Sequence, residues 1–280
     1  MSVPWSEVAR VGGVAVTMHD SIQVYDPRAA GAVAITGSHT GVPASTFGAA
    51  QGVIALIGND AGGGKDAAGI AGLAALERYG VAVASVSHDS ARIGDGRDTY
   101  DNGIISAVNR HAASVGVRPG MTTAEAGLLL ATWQPPADRE LPTADDAHHV
   151  EVYREGVPRI VALDSVSQLG PEFAEDIVFT GSHGGAVGGV GVKHRVAAAF
   201  FNDAGIGKDE AGVSRLPLLD RDGIPGATVD YLSAGIGFGA ESYEHGVLSR
   251  VNQAAARLGL TVGMTSIDAG TLLVDALTRP

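Results

Sequence analysis

The sequence predicts an α/β protein built as a tandem duplication: two three-layer α/β/α units with mostly parallel sheets, related as pseudo-twofold copies. Three observations point there. An octapeptide, Asn59-Asp60-Ala61-Gly62-Gly63-Gly64-Lys65-Asp66, returns 143 positions later as Asn202-Asp203-Ala204-Gly205-Ile206-Gly207-Lys208-Asp209. Short, continuously apolar runs alternate with helical patterns, the pattern of parallel strands covered on both faces. Polar residues gather where those runs end.

The repeat extends well beyond the octapeptide. Downstream at the same offset, Ser90-Ala91 meets Ser233-Ala234, Asn109 meets Asn252, and Gly120-Met121-Thr122 meets Gly263-Met264-Thr265. Upstream the offset grows by one residue, so that Asp20-Ser21 meets Asp164-Ser165 and Gly37-Ser38-His39 meets Gly181-Ser182-His183. A period this long is not that of a solenoid repeat. The expected domains are an N-terminal α/β repeat over 1–131, a linker over 132–153 containing Pro135-Pro136 and a polar run, and a C-terminal repeat over 154–280.

Each copy has the same grammar. The first apolar run (14–17; 159–163) ends at Asp-Ser, and the second (32–36; 177–180) at Gly-Ser-His. The third (53–57; 197–201) ends at Asn-Asp-Ala-Gly, with a helix expected to open at Lys-Asp. The fourth (81–86; 226–231) ends near Ser-Ala. Segments 100–115 and 243–258 read as single amphipathic helices, each followed by a Gly-Met-Thr turn and a final helix.

Composition narrows the function. The 280 residues are 45% hydrophobic with a formal charge of −12, a poor counter-ion for nucleic acid or anionic membrane. No apolar run approaches a membrane span, and the N-terminus lacks the basic-then-apolar pattern of a secretory signal. There is no cysteine, hence no thiol nucleophile or disulfide framework. A cytoplasmic protein acting on a small molecule, without nucleic-acid or membrane partners and assembled as a homo-oligomer, is expected.

In parallel α/β sheets ligands sit beyond the carboxyl ends of the strands, where both copies place their polar residues. Sixteen arginines stand against three lysines, Lys65, Lys193 and Lys208, two of them at the same motif position. Lysine can lose its proton when desolvated and arginine cannot, so Lys65 and Lys208 are expected to be functional. The candidate catalytic residues are Ser182, His183, Lys208 and Asp203 with their counterparts Ser38, His39, Lys65 and Asp60. Substrate binding is assigned to Arg92, Arg97, Asp95, Asn59, Asn202, Gly184, Gly185, Ser90 and Ser233.

The glycine-rich loop is not a P-loop. Asn59 and Asn202 replace its first glycine, and Asp66 and Asp209 replace the magnesium-holding hydroxyl. Its backbone N–H groups are instead expected to receive a carboxylate or oxyanion. The copies also differ: Arg92, Asp95, Arg97 and the pair His88-Asp89 exist only in the first, and the fuller glycine run after His183 only in the second. That asymmetry suggests one composite site fed by both copies. No cofactor is expected. A divalent metal on His39, His88, Asp89 and Asp60, or on His183 and Asp203, remains open because no tight ligand spacing marks it.

Strand–Gly-Ser-His-Gly-Gly followed by strand–Asn-Asp-Ala-Gly and a helix resembles the histidine-strand and nucleophile-strand order of caspase-like peptidases, over about 50 residues. The resemblance implies an α/β sandwich. Asn or Asp stands where the nucleophilic cysteine belongs, so it implies no peptidase activity.

The expected function is hydrolysis of a C–N bond in a small anionic amide, imide or lactam. Ser182 or Ser38 would be the nucleophile, activated by Lys208 or Lys65. A lyase or isomerase using the same lysine as base or Schiff-base amine, and a non-catalytic carboxylate-binding protein, are the alternatives.

Overall fold

The computed structural model describes residues 5–24, 26–143 and 148–278. Positions 144–147 of the expected linker lie outside the described residues. The chain divides into two compact units: Met1–Gly63, Ala67–Ala147 and Gly207–Asp209 form the first, and Gly64–Asp66, His148–Ile206 and Glu210–Pro280 the second.

In the first unit, six strands pair in sequence order: β1 (Ser6–Val11), β2 (Val14–His19), β3 (Val33–His39), β4 (Ala55–Asn59), β5 (Ala82–Val86) and β6 (Ile105–Val108). β2 through β5 run parallel, and β1 and β6 close the two edges antiparallel. Alternate side chains of the inner strands feed two separate cores. Val33, Ile35, Ala55, Ile57, Ala82 and Ala84 pack with Ala112 of helix α4 (Arg110–Ser114) and with Ala126 and Leu130 of α5 (Thr123–Leu130). Ala34, Leu56 and Val83 pack on the other face with Ala44 and Ala49 of α1 (Val42–Ala50) and Leu73 of α2 (Gly72–Ala75).

The second unit has the same strand order and the same parallel and antiparallel pairings. Its strands are β7 (Val150–Arg154), β8 (Ile160–Leu163), β9 (Ile177–His183), β10 (Ala198–Asn202), β11 (Gly226–Val229) and β12 (Leu248–Val251). α6 (Leu216–Arg221) packs in one core, and α8 (Gln253–Arg257) and α9 (Ser266–Thr278) in the other. The apolar runs read from the sequence are therefore strands β2–β5 and β8–β11.

Two helix expectations are corrected. Segment 100–115 is not one helix: α3 (Gly96–Asn102) ends, β6 follows, and α4 begins only at Arg110. Gly103 leaves the helical region at φ −61°, ψ 135°, and Ile105 then bonds backbone to backbone with Met121 and Gly120. Asn109 starts the next helix by accepting the Ala112 N–H. Segment 243–258 breaks in the same way into α7 (Gly239–Glu244), β12 and α8.

What opens at Lys-Asp is a short 3-10 turn, Lys65–Ala67 and Lys208–Val213, not a regular helix. Asp66 and Ala67 have φ of 52° and 58°, and Asp209 and Glu210 have φ of 54°, the left-handed region that L-residues avoid. The seven described non-glycine residues with positive φ all lie in 61–67 and 204–210. Such strain persists only where surrounding contacts impose it.

Between β3 and β4 the first unit carries α1, whereas between β9 and β10 the second has a glycine-rich segment and no helix. Gly72 meets Thr40 O and the Ser45 side chain closely, leaving no room for a Cβ. The second unit instead has Arg215, buried with its guanidinium 4.7 Å from the Phe201 ring centre. It donates to Gly191 O at 2.6 Å and Gly185 O at 2.7 Å. Burial lowers its pKa to about 10. A buried cation without a carboxylate is costly, and two carbonyls and an aromatic face offset that cost while fixing the glycine segment.

Candidate functional site

The shared motif residues do stand at the carboxyl ends of the inner strands, and most are occupied in building the loops there. Asn59 is fully buried. Its Oδ1 accepts the Ala61 N–H at 2.9 Å and its Nδ2 donates to Ala91 O at 3.0 Å. Asn202 does the same with Ala204 and Ala234. Asp20 and Asp164 accept the N–H of Gly96 and Gly239, the first residues of α3 and α7. Ser38 Oγ accepts Ile22 N–H at 3.1 Å, and Ser182 Oγ accepts Val166 N–H at 2.9 Å. Ser90 donates to Ser87 O and accepts from Ile104, and Ser233 donates to Asp230 O and accepts from Val247.

The glycine-loop N–H groups are mostly turned inward, against the expectation of an anion cradle. Gly62 N–H bonds Asp60 Oδ1 and Gly63 N–H bonds Asp60 O. Gly205 and Ile206 repeat this on Asp203. The expected backbone donors after His183 are likewise taken. Gly184 N–H bonds Asn202 O, and Gly185 N–H bonds His183 Nδ1.

His39 is buried and its Nδ1 accepts the Gly41 N–H at 3.1 Å, which fixes the neutral ring with its proton on Nε2. Burial pulls its pKa down to about 4. Sequence reasoning passed over His19. It is buried, it stacks on Trp5 at 3.9 Å, and its Nδ1 donates to Ser21 O. Its Nε2 is buried without a partner, and burial again lowers its pKa to about 4.

The lysines do not meet the serines. Segment 207–209 belongs to the first unit, where Lys208 N–H donates to His88 O and Lys208 Nζ lies 2.9 Å and 3.1 Å from the two Asp98 oxygens. The Asp98 side chain is only 2% exposed. It also accepts Arg92 N–H at 2.7 Å and Asn102 Nδ2 at 2.8 Å, and pairs with the Arg92 guanidinium. Burial opposes its charge, but these donors outweigh burial and hold its pKa below the ordinary value.

Arg92 further pairs with Asp95 and Asp209. Two cations thus face three carboxylates, and Arg92 is not an open clamp for an anionic substrate. Arg97 points elsewhere, exposed beside Asp101. Segment 64–66 belongs to the second unit, where Lys65 N–H bonds Tyr231 O and Lys65 Nζ pairs with the half-exposed Glu241.

One arrangement has the form of a working acid–base pair. Asp60, at the end of β4, accepts through Oδ1 both the backbone N–H of His88 at 2.9 Å and its ring Nδ1 at 3.0 Å. Burial would raise the Asp60 pKa, but hydrogen bonds from His88 and Gly62 bring it below the ordinary value. The bond to Asp60 in turn raises the His88 pKa, against partial burial. The His88 side chain is 24% exposed, and its Nε2 has the exposed Asp89 carboxylate 3.6 Å away. In the second unit Tyr231 replaces His88, and only its backbone N–H reaches Asp203. Burial then raises the Asp203 pKa, and nearby Asp230 adds to the rise.

The sequence marked His88 as a difference between the two repeats and as a candidate metal ligand, not as a catalytic base. A usable signal was that Asp60 and His88 follow β4 and β5, strands that pair in parallel. Among the described residues no group of three or more His, Cys, Asp or Glu is placed to hold a metal ion. No described helix is long and apolar enough to cross a membrane. No protein-family model, curated protein or solved structure matches the chain.

Proposed function

We propose that the chain is a small-molecule enzyme working by general acid–base chemistry at the Asp60–His88 pair of the first unit. The reaction proposed is hydrolysis of a C–N bond in a small amide, imide or lactam. The observation that carries this reading is the double hold of Asp60 Oδ1 on His88. Asp60 fixes the Nδ1–H tautomer, which leaves the Nε2 lone pair to take a proton from an attacking water. The raised His88 pKa suits the second half of the cycle, in which the imidazolium returns that proton to the departing nitrogen.

This moves the chemistry away from the serines and lysines. Ser38 and Ser182 are engaged with backbone N–H groups. Lys208 Nζ is engaged by the buried carboxylate of Asp98, so it supports the site's charge balance and the loop next to His88.

The same proposal includes the tandem duplication. In its favour stand the motif offsets, the identical strand pairings, and the matching hydrogen bonds of Asn59 and Asn202, Asp20 and Asp164, and Ser38 and Ser182. With Tyr231 in place of His88, the second copy lacks the base, and catalysis belongs to the first. A cytoplasmic location and a homo-oligomeric assembly are part of the same proposal.

A second reading is a non-catalytic binder of a small ligand, favoured by how many motif residues are engaged internally. Replacing His88 separates the two. His88→Asn keeps a donor toward Asp60 and removes the base. In a turnover screen of small amides, imides and lactams, His88→Asn should lose about 10²–10⁴-fold of whatever activity the native chain shows. Activity within a few-fold of native would overturn the assignment. Saturable binding without turnover in both proteins would favour the binder.

A further inference from the structure

An open groove of about 570 Å³ in the second unit has no part in the chemistry above. It lies where β11 ends, beside the edge strand β12, and its walls include Asp230, Leu232, Ser233, Val247, Ser249 and Arg250. The volume falls in the range of small-molecule sites.

Three kinds of chemistry meet there. Asp230 uses Oδ1 to accept the Leu232 N–H at 2.7 Å, and its Oδ2 has no partner among the described residues. Arg250 donates from one terminal nitrogen to Ser249 O at 2.9 Å and pairs with no carboxylate among the described residues. Leu232 is 61% exposed and Val262 60% exposed, two large aliphatic side chains at the groove that the fold leaves uncovered, and the half-buried Val247 lines it beside them.

The groove therefore offers one open carboxylate, one open guanidinium and an aliphatic wall. A simple anion meets the Asp230 charge and a simple cation meets that of Arg250. A molecule carrying both charges satisfies both, and charge-assisted hydrogen bonds are the strong ones. We propose that this groove binds an aliphatic α-amino acid as its zwitterion. The ammonium lies on Asp230, the carboxylate on Arg250, and the branched side chain against Leu232, Val247 and Val262. The site stands independently of the Asp60–His88 reading, since it lies wholly in the second unit.

The test is calorimetric titration of the full chain with L-leucine, 3-methylbutylamine and 4-methylpentanoate. The amine lacks the carboxylate and the acid lacks the ammonium. Leucine should bind, with each half-ligand roughly tenfold weaker or more. Asp230→Asn retains an acceptor for the Leu232 N–H and loses the charge; Arg250→Gln removes the guanidinium at the surface. Each variant, with thermal unfolding matching the native chain, should weaken leucine roughly tenfold or more. The proposal is overturned by no binding of leucine at millimolar concentration, by a half-ligand that binds as tightly as leucine, or by unchanged leucine affinity in both variants.

Discussion

Acidification from pH 7 to pH 4 is expected to cost the first unit several kcal/mol of stability, well before its paired carboxylates titrate. The cause is His19 and His39, whose folded pKa values are lowered by burial to about 4. Both groups bind protons more readily in the unfolded chain, so their contribution is full above the unfolded value near 6.5 and is lost as pH falls from there toward 4. Each is worth about 3 kcal/mol across that window.

The geometry explains the size. Protonating His39 at Nδ1 breaks its bond from Gly41 N–H, and protonating His19 at Nε2 buries an N–H with no acceptor. Other groups differ in sign or window. His88, raised by Asp60, stabilises at low pH and loses that contribution only as pH rises through its folded pKa. Asp164 and Asp203, raised by burial, lie in the second unit and act there with the opposite sign, taking up protons first in the folded chain. Urea unfolding at pH 7 and pH 4.5 measures the effect, and His19→Gln should remove about half of the slope. A flat profile would show that neither ring is held neutral by burial.

Removing Asp98 should be the most damaging single change among the charged groups of the first unit. Asp98→Ala leaves Arg92 N–H, Asn102 Nδ2 and Lys208 Nζ without their shared acceptor at a site where the carboxylate is 2% exposed. Breaking a buried pair from one side costs about 3–5 kcal/mol. Its counterpart Glu241 is 36% exposed and pairs with Lys65, so Glu241→Ala should cost at most about 1 kcal/mol. Paired denaturation curves test the contrast, and equal losses at the two positions would contradict it.

The parallel strands were legible because a strand buried on both faces is continuously apolar, and Ala55–Asn59 or Ala198–Asn202 has no other way to be read. β6 was not. Ile104, Ile105, Val108 and Ala112 suit a helical stripe, and what breaks it is Gly103 together with pairing to β5, about twenty residues back. The site divides the same way. Gathering Asn59, Asp60, Ser38 and His39 at the strand ends follows from the parallel order. That their polar atoms are spent on neighbouring backbone is decided by tertiary hydrogen bonds that no local pattern carries. The lysines misled for a related reason: Lys208 meets Asp98, 110 positions away, and a recurring lysine that neutralises a buried carboxylate looks in sequence like one that reacts.

The Asp60–His88 pair is tested most directly by following the His88 ring through pH by nuclear magnetic resonance, in the native full chain and in Asp60→Asn. The expected result is a His88 pKa above the ordinary histidine value in the native chain, falling on loss of the Asp60 charge, with the Nδ1–H tautomer dominant at high pH. A His88 that titrates at its ordinary value and is unmoved by Asp60→Asn would contradict the pair, and with it the placement of the chemistry in the first unit.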